Sequence, residues 1–183
     1  MTYNNTMRVG IDISQLAYPN TGVANYLESL VRALLEKDKE NKYILFFSSA
    51  RRNLPSNIYD LRSKNVKIKQ FKFPPTLLDF IWNKMHVFPI EWFVGYVDVF
   101  ITSDWTEPPV RRAKKATILY DLLVHKFPEE MHAKIVSTQK KKLSWVKKES
   151  DMVFCISEST KNDAEEILGI DKSKLQVIYP GIY

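Results

Sequence analysis

A single cysteine in 183 residues excludes a disulfide framework. Cys155 lies inside the apolar run MVFCIS, where a thiol packs as a small hydrophobe rather than serving as nucleophile or ligand, and a reducing compartment fits. No apolar run reaches the length that crosses a bilayer, and the opening MTYNNTM lacks the charged and apolar regions of a secretion signal, so a cytoplasmic location is expected. Glycine is scarce, at five residues. Gly10 and Gly22 stand too far apart for G-x-G-x-x-G, and no G-K-[ST] follows either, which excludes the usual dinucleotide fingerprint and the P-loop. Acidic residues are outnumbered, 21 against 27 basic, for a formal charge of +6. That excess suits an anionic partner. No recognition motif and no aromatic stacking platform accompanies the basic residues, so no nucleic-acid partner is expected.

What is present is the composition of an ordinary folded domain: 45% apolar, 13% aromatic and 26% charged residues. The length suits one core, and no repeat, low-complexity segment or linker divides it. Strands are predicted over residues 8–13, 43–47, 66–71, 97–102, 116–120, 152–156 and 175–179. Most are short apolar runs rather than clean alternations, as in a sheet covered on both faces. Between them Val23, Leu27, Leu30, Val31 and Leu34 recur at helical spacing, and Ser157 with Gly169 brackets another helix as N-cap and C-terminal stop. Strand and helix alternate, so the fold class is α/β with a doubly wound, mainly parallel sheet and helices on both faces. The middle is less regular: FPPTLLDFIWNKMHVFPIEWFVGY carries Phe80, Trp82, Phe88, Trp92 and Phe93 over two helical pieces broken before Pro89, as core or as the lining of a pocket or partner surface.

Doubly wound sheets bind ligands outside the carboxyl ends of their strands, and polar groups collect at several such ends here. They are Ser14 and the PNTGVANY turn after the first strand, TSDW (Thr102, Ser103, Asp104, Trp105), YDLLVH (Tyr120 and Asp121 to His125) and SEST from Ser157. Gly22 opens a helix, where a bare backbone allows close approach and free N–H groups favour an anion such as phosphate; a purely structural turn is the alternative. Asp121 equally suits a turn and Ser157 a helix cap. Lys134, Lys141 and Lys148 share one helical stripe beside Lys140 and Lys147, while Ile135, Leu143 and Val146 face elsewhere. Such a basic amphipathic helix meets solvent or an anionic membrane surface.

These segments, in this order, resemble the N-terminal half of a family 4 (group 1) retaining glycosyltransferase of the GT-B fold. The likeness runs through DISQ…TGVANYLESLVRALL, IWNKMHVFPIEW, VDVFITSDWTEPP, ATILYDLLVHKFPEE, SDMVFCISESTKNDAEEILGI and VIYPGIY, most of the chain from Met7 to Tyr183. No single piece is decisive; the ordered set carries the resemblance. It implies a Rossmann-like N-terminal domain over residues 1–183, on the acceptor side of a cleft. The donor-binding C-terminal domain, absent from this chain, would follow the YPGI crossing. It also implies a nucleotide-sugar donor held mainly by that second domain, a sugar or lipid-linked acceptor, and no metal or other cofactor. Tyr120 and Asp121 occupy the positions of the family's catalytic His-Asp pair; Gly22, Val23, Asn25, Ser103, Asp104, Trp105 and Ser157 occupy donor- or acceptor-binding positions. Two residues depart from the pattern. Tyr120 stands for the histidine beside the donor sugar and Asn25 for a frequent arginine. A tyrosine hydroxyl still bonds a sugar hydroxyl but does not carry a proton near neutral pH. Some family members with lipid acceptors lie on membranes, so a peripheral place at the inner face of the membrane, through the helix of residues 134–148, accompanies the cytoplasmic expectation. Two readings therefore stand: a transferase domain inactive in isolation, and a Rossmann-like module that binds a nucleotide, sugar or partner without transfer.

Overall fold

The alternation of apolar runs and helical patterns resolves, in a computed structural model that describes residues 6–181, into seven parallel strands ordered β3-β2-β1-β4-β5-β6-β7. The readings placed on the opening residues and on the last two, Ile182 and Tyr183, lie outside the described residues. The strands are β1 (Arg8–Asp12), β2 (Lys42–Ser48), β3 (Val66–Phe71), β4 (Val99–Thr102), β5 (Lys114–Leu119), β6 (Met152–Cys155) and β7 (Leu175–Val177). The helices are α1 (Gly22–Lys37), α2 (Ser56–Tyr59), α3 (Pro75–Leu78), α4 (Glu91–Val94), α5 (Leu123–Lys126), α6 (Ala133–Glu149) and α7 (Glu158–Glu166), with a π-helical turn Asp79–Lys84 continuing α3. Each predicted strand is found, with ends shifted by one or two residues, as expected where strands fade into loops.

Helices cover both faces because the strands are apolar on both. In β2, Tyr43, Leu45 and Phe47 pack with Leu27, Val31 and Leu35 of α1, while Ile44 and Phe46 point the other way, onto Trp82, Ile90 and Val94. A third cluster joins Leu143 and Val146 of α6 and Ala164 of α7 to Val153 and Cys155, so the cysteine packs as expected, and its burial pushes the thiol up to about 11. Leu143 and Val146 thus face inward and the five lysines of the stripe outward, while Ile135 stays exposed. Gly169, with φ 65°, ends the α7 segment as its stop signal predicted. Among the described residues no helix is long and apolar enough to cross a membrane.

The aromatic segment divides. Trp82 is fully buried and Phe93 packs against the same cluster, whereas Phe80, Phe88 and Trp92 lie 52%, 44% and 65% exposed. The π-helical turn cannot run on into Pro89, because the residue before a proline is driven out of the right-handed helical region. Phe88 takes φ 61° there, and its carbonyl accepts from the Trp82 indole at 2.9 Å.

The two glycines flanking the first turn differ in kind. A Cβ on Gly10 would stand 2.5 Å from the fully buried Phe100 ring, so β1 and β4 need a bare backbone to close. Gly22 has no such demand. It is the first residue of α1 after the Thr21 N-cap, its φ is not left-handed, and a Cβ would meet nothing within 4 Å; the expected backbone requirement is therefore absent. We predict that Gly10→Ala lowers stability by ~1–3 kcal/mol through overpacking, while Gly22→Ala changes it by less than ~0.5 kcal/mol. Urea unfolding of the two variants beside wild type checks both.

Candidate functional site

Strand order reverses between β1 and β4, so the connections leaving these neighbours diverge to opposite faces and leave a crevice at their carboxyl ends. Three cavities line that edge and share residues. The first, about 480 Å³, lies over the ends of β1, β2 and β4 and includes Asp12, Gln15, Val23, Asp104 and Trp105. The second, about 450 Å³, shares Asp104 and Trp105 and adds Tyr120, Asp121 and Lys142. The third, about 450 Å³, shares Val23, Tyr120 and Asp121 with its neighbours and adds Gly22, Asn25 and Gly181.

The start of α1 faces the third cavity for a local reason. Thr21 Oγ1 accepts from Ala24 N at 3.2 Å and Thr21 O from Asn25 N at 2.9 Å, which leaves the N–H groups of Gly22 and Val23 without partners among the described residues. With no Cβ at Gly22, these donors are open to an anion. Asn25, one helical step on, is exposed toward the same space.

Opposite, the loop after β4 is held rigidly. Asn83 is fully buried; its amide donates to Trp105 O at 2.9 Å and accepts from Glu107 N at 2.9 Å. Glu107, also fully buried, accepts from Thr102 and Thr117 at 2.8 and 2.9 Å and pairs with Lys115 at 3.4 Å. Lys115 donates to Glu149 at 3.0 Å. Burial alone would push Glu149 up, but Lys115 and His86 outweigh it and hold the carboxyl below its usual range. Ser103, Asp104 and Trp105 therefore hang from a fixed frame. Asp104 accepts from Gln139 of α6, and burial raises its carboxyl above the ordinary range.

Tyr120 is buried, its ring edge-on to Tyr26 at 5.6 Å and its hydroxyl 3.2 Å from Ser103 Oγ. Burial pushes the phenol upward, so it stays protonated and serves as a hydrogen-bonding group rather than a base. Asp121 accepts from Leu123 N at 3.0 Å, the turn its type suggests, while still lining two cavities. Ser157 caps α7, accepting from Thr160 N at 3.1 Å, and is not among the residues lining these cavities; nor is His125. Of the expected site residues, the geometry gathers Gly22, Val23, Asn25, Asp104, Trp105, Tyr120 and Asp121 on one edge, with Ser103 just behind. Among the described residues no three His, Cys, Asp or Glu side chains cluster as metal ligands.

Sequence reasoning missed Asp12, Glu107 and Lys142. Asp12 lay inside a predicted strand, and Glu107 reads as a surface charge in a loop. Lys142 sits among five other lysines of α6, yet it is 2% exposed and belongs to the inward face with Leu143 and Val146. Counting helical positions from those two residues would have separated it from the solvent stripe.

A family model described as Glycosyltransferase Family 4 matches residues 20–183, and no curated protein matches the chain. The chain belongs to glycosyltransferase family 4, as the ordered motifs indicated.

Asp12 gives the site a pH signature. Burial raises its carboxyl from 3.8 to about 6, against hydrogen bonds from Ser14 that lower it. A raised carboxyl contributes stability that is fully present below pH 3.8 and is lost as pH rises through about 6. Asp12→Asn keeps an acceptor for Ser14 N but has no proton to lose. Its stability relative to wild type should therefore rise by on the order of 3 kcal/mol between those limits. Urea unfolding of both proteins across that pH range measures it; parallel profiles would contradict the assignment.

Proposed function

We propose that this family 4 chain is the acceptor-side wall of a two-domain retaining transferase, which moves a hexose from a nucleotide diphosphate sugar to a sugar or lipid-linked acceptor. The supporting observation is the run of three joined cavities along the carboxyl edge, with the open N-terminus of α1 on one side and the pinned Asp104–Trp105 loop on the other. In this reading a second Rossmann-like domain, following the YPGI crossing, closes over the edge and holds most of the donor. The leaving diphosphate gains negative charge as the glycosidic bond breaks, and preorganised N–H groups stabilise that charge without reorganising. Gly22 and Val23 supply such donors from this side. Tyr120 and Asp121 hold sugar hydroxyls, Tyr120 as a neutral donor and acceptor in place of a titrating imidazole. The acceptor hydroxyl attacks from the face the leaving group vacates and passes its proton to the departing phosphate oxygen, so one C–O bond forms as the other breaks and the anomeric configuration is kept.

One wall alone leaves the diphosphate solvated, so residues 1–183 by themselves should show no turnover above background with nucleotide hexoses, whereas the two-domain protein turns over. In the two-domain protein Gly22→Val should weaken nucleotide-sugar binding roughly tenfold, with its melting temperature little changed, since a side chain there meets no neighbour but obstructs the N–H groups. Calorimetric titration with melting curves on the same samples separates the two effects. Equal affinities would remove Gly22 from the donor site, and binding without turnover in the two-domain protein would favour a non-transferring module.

The location we propose is cytoplasmic, with a peripheral contact to an anionic membrane surface through α6. Lys134, Lys140, Lys141, Lys147 and Lys148 are all exposed, and Lys84 joins Lys140 and Lys141 around one groove. The segment carrying Lys84 also exposes Phe80 and Met85, apolar groups suited to the headgroup boundary. Sedimentation with anionic vesicles at low salt should exceed that with neutral vesicles and decline as salt is added. Equal, negligible sedimentation with both would return α6 to solvent.

A further inference from the structure

The second cavity holds a feature that the donor chemistry does not use. Lys142 extends from the inner face of α6 and is 2% exposed, yet among the described residues its Nζ makes no hydrogen bond and no ion pair. Lysines are almost never buried unless paired. Its neighbours are Glu107, Asp104, Lys115 and Asp12. Glu107 is already engaged by Lys115 and two threonine hydroxyls, and Asp104 holds only the Gln139 amide, beyond ion-pair distance of Lys142. Donor and acceptor thus line one cavity without meeting.

A group that fits between them must accept from the amine and donate to the carboxylate. A hydroxyl does both. A phosphate only accepts, and it would face Asp104, Asp121 and Glu130 around the same cavity against Lys142. The rest of the lining is mixed: Tyr120, His132 and Gln139 are polar, while Trp105, half-buried, and Ile135 and Leu123, each 40% exposed, form an apolar patch. An aromatic face beside apolar side chains accommodates the C–H face of a pyranose while its hydroxyls point at the polar pair.

We propose that this cavity is a subsite for a neutral, hydroxyl-bearing sugar ring of the acceptor, held by Lys142 as donor and Asp104 as acceptor, and that it discriminates against a phosphorylated ring. The proposal rests on the acceptor-side reading above and names the class of acceptor. The buried, unpartnered amine makes the selection strong, because a ligand that cannot accept from Lys142 leaves it desolvated and unsatisfied.

Ligand-observed NMR on the whole protein tests it, with methyl gluco-, galacto- and mannopyranosides as neutral probes and the corresponding hexose 6-phosphates as charged ones. At least one neutral glycoside should bind, more tightly than its phosphate. Lys142→Met and Asp104→Asn should each weaken it by about tenfold while the far-UV spectrum is retained. Asp104→Asn keeps the shape of the loop and serves alone if the lysine variant does not fold. It should also narrow the gap between neutral and phosphorylated probes, because a repelling charge is removed, a change that general damage to the fold would not produce. The inference is overturned by the absence of binding by every neutral probe, by tighter binding of a phosphate that is lost in Lys142→Met, or by unchanged neutral-glycoside affinity in both variants. Its failure is separable from that of the transferase reading. Neutral binding dependent on both residues, without turnover of any nucleotide sugar, would leave the subsite and remove the transferase. Transfer only to phosphorylated acceptors held by Lys142 would do the reverse.

Discussion

Lys115 sits fully buried between two carboxylates, Glu107 at 3.4 Å and Glu149 at 3.0 Å, and the loop that forms one side of the candidate site depends on that arrangement. An ammonium taken out of water is tolerable only when opposite charges and hydrogen bonds replace its hydration, so each partner must be where it is. Glu107 comes from the loop after β4, Lys115 from the start of β5, and Glu149 from the last turn of α6. The threonine hydroxyls of Thr102 and Thr117 complete the surroundings of Glu107, and His86, stacked at 3.6 Å on Trp145, donates from Nε2 to Glu149 at 2.8 Å. Three separate segments, the loop after β4, the start of β5 and the end of α6, are locked to one another by a single desolvated cation.

The cost of such a cluster is large, and an apolar replacement of matching shape would hold a fold as well. What the polar version supplies is direction. Apolar contacts tolerate small slides, whereas two hydroxyls and an ammonium around one carboxylate define where the loop of Asp104 and Trp105 leaves β4. Asn83 adds to the same constraint, since its one side chain ties that loop to the π-helical turn and its carbonyl accepts from the Trp145 indole at 2.7 Å. The irregular middle of the chain thereby gains a purpose. Its buried half braces the site, and its exposed half, with Phe80, Phe88 and Trp92, faces outward.

Against this frame the ligand-facing groups are under-satisfied. Lys142 has no partner among the described residues, Gly22 and Val23 keep free N–H groups, and Asp12 and Asp104 hold raised carboxyls. Behind them Glu107, Lys115 and Asn83 are held by hydrogen bonds and ion pairs. The contrast between a saturated support and an unsaturated surface is what preorganisation for a polar ligand requires, because the protein is not asked to rearrange or to give up internal bonds when a hydroxyl or phosphate arrives.

The sheet was legible in the chain itself, since short runs such as YILFF and TIL are apolar on both sides and suit only a strand covered twice. The order of motifs carried family membership, and the position of Gly22, Asp104 and Tyr120 just past strand ends was enough to expect them along one edge, where they line neighbouring cavities. Packing corrected the rest. Gly22 turned out to need no special φ, because Thr21 caps the helix and a Cβ there meets nothing; Gly10, which the sequence marked only as too far from Gly22 for a fingerprint, is the glycine that Phe100 requires. Lys115 and Lys142 could not be told from their exposed neighbours by residue type, since a charge reads as surface until its partners are known. Glu107, which pairs with Lys115, and Asp104, which shares a cavity with Lys142, lie 8 and 38 residues away along the chain and come near the lysines only when β4, β5 and α6 are assembled. Local pattern determines which face of a strand or helix is apolar, through periodicity that neighbouring residues share. Which buried charges find each other, and which is left open to a ligand, is a property of distant segments brought together, and that only the tertiary structure decided.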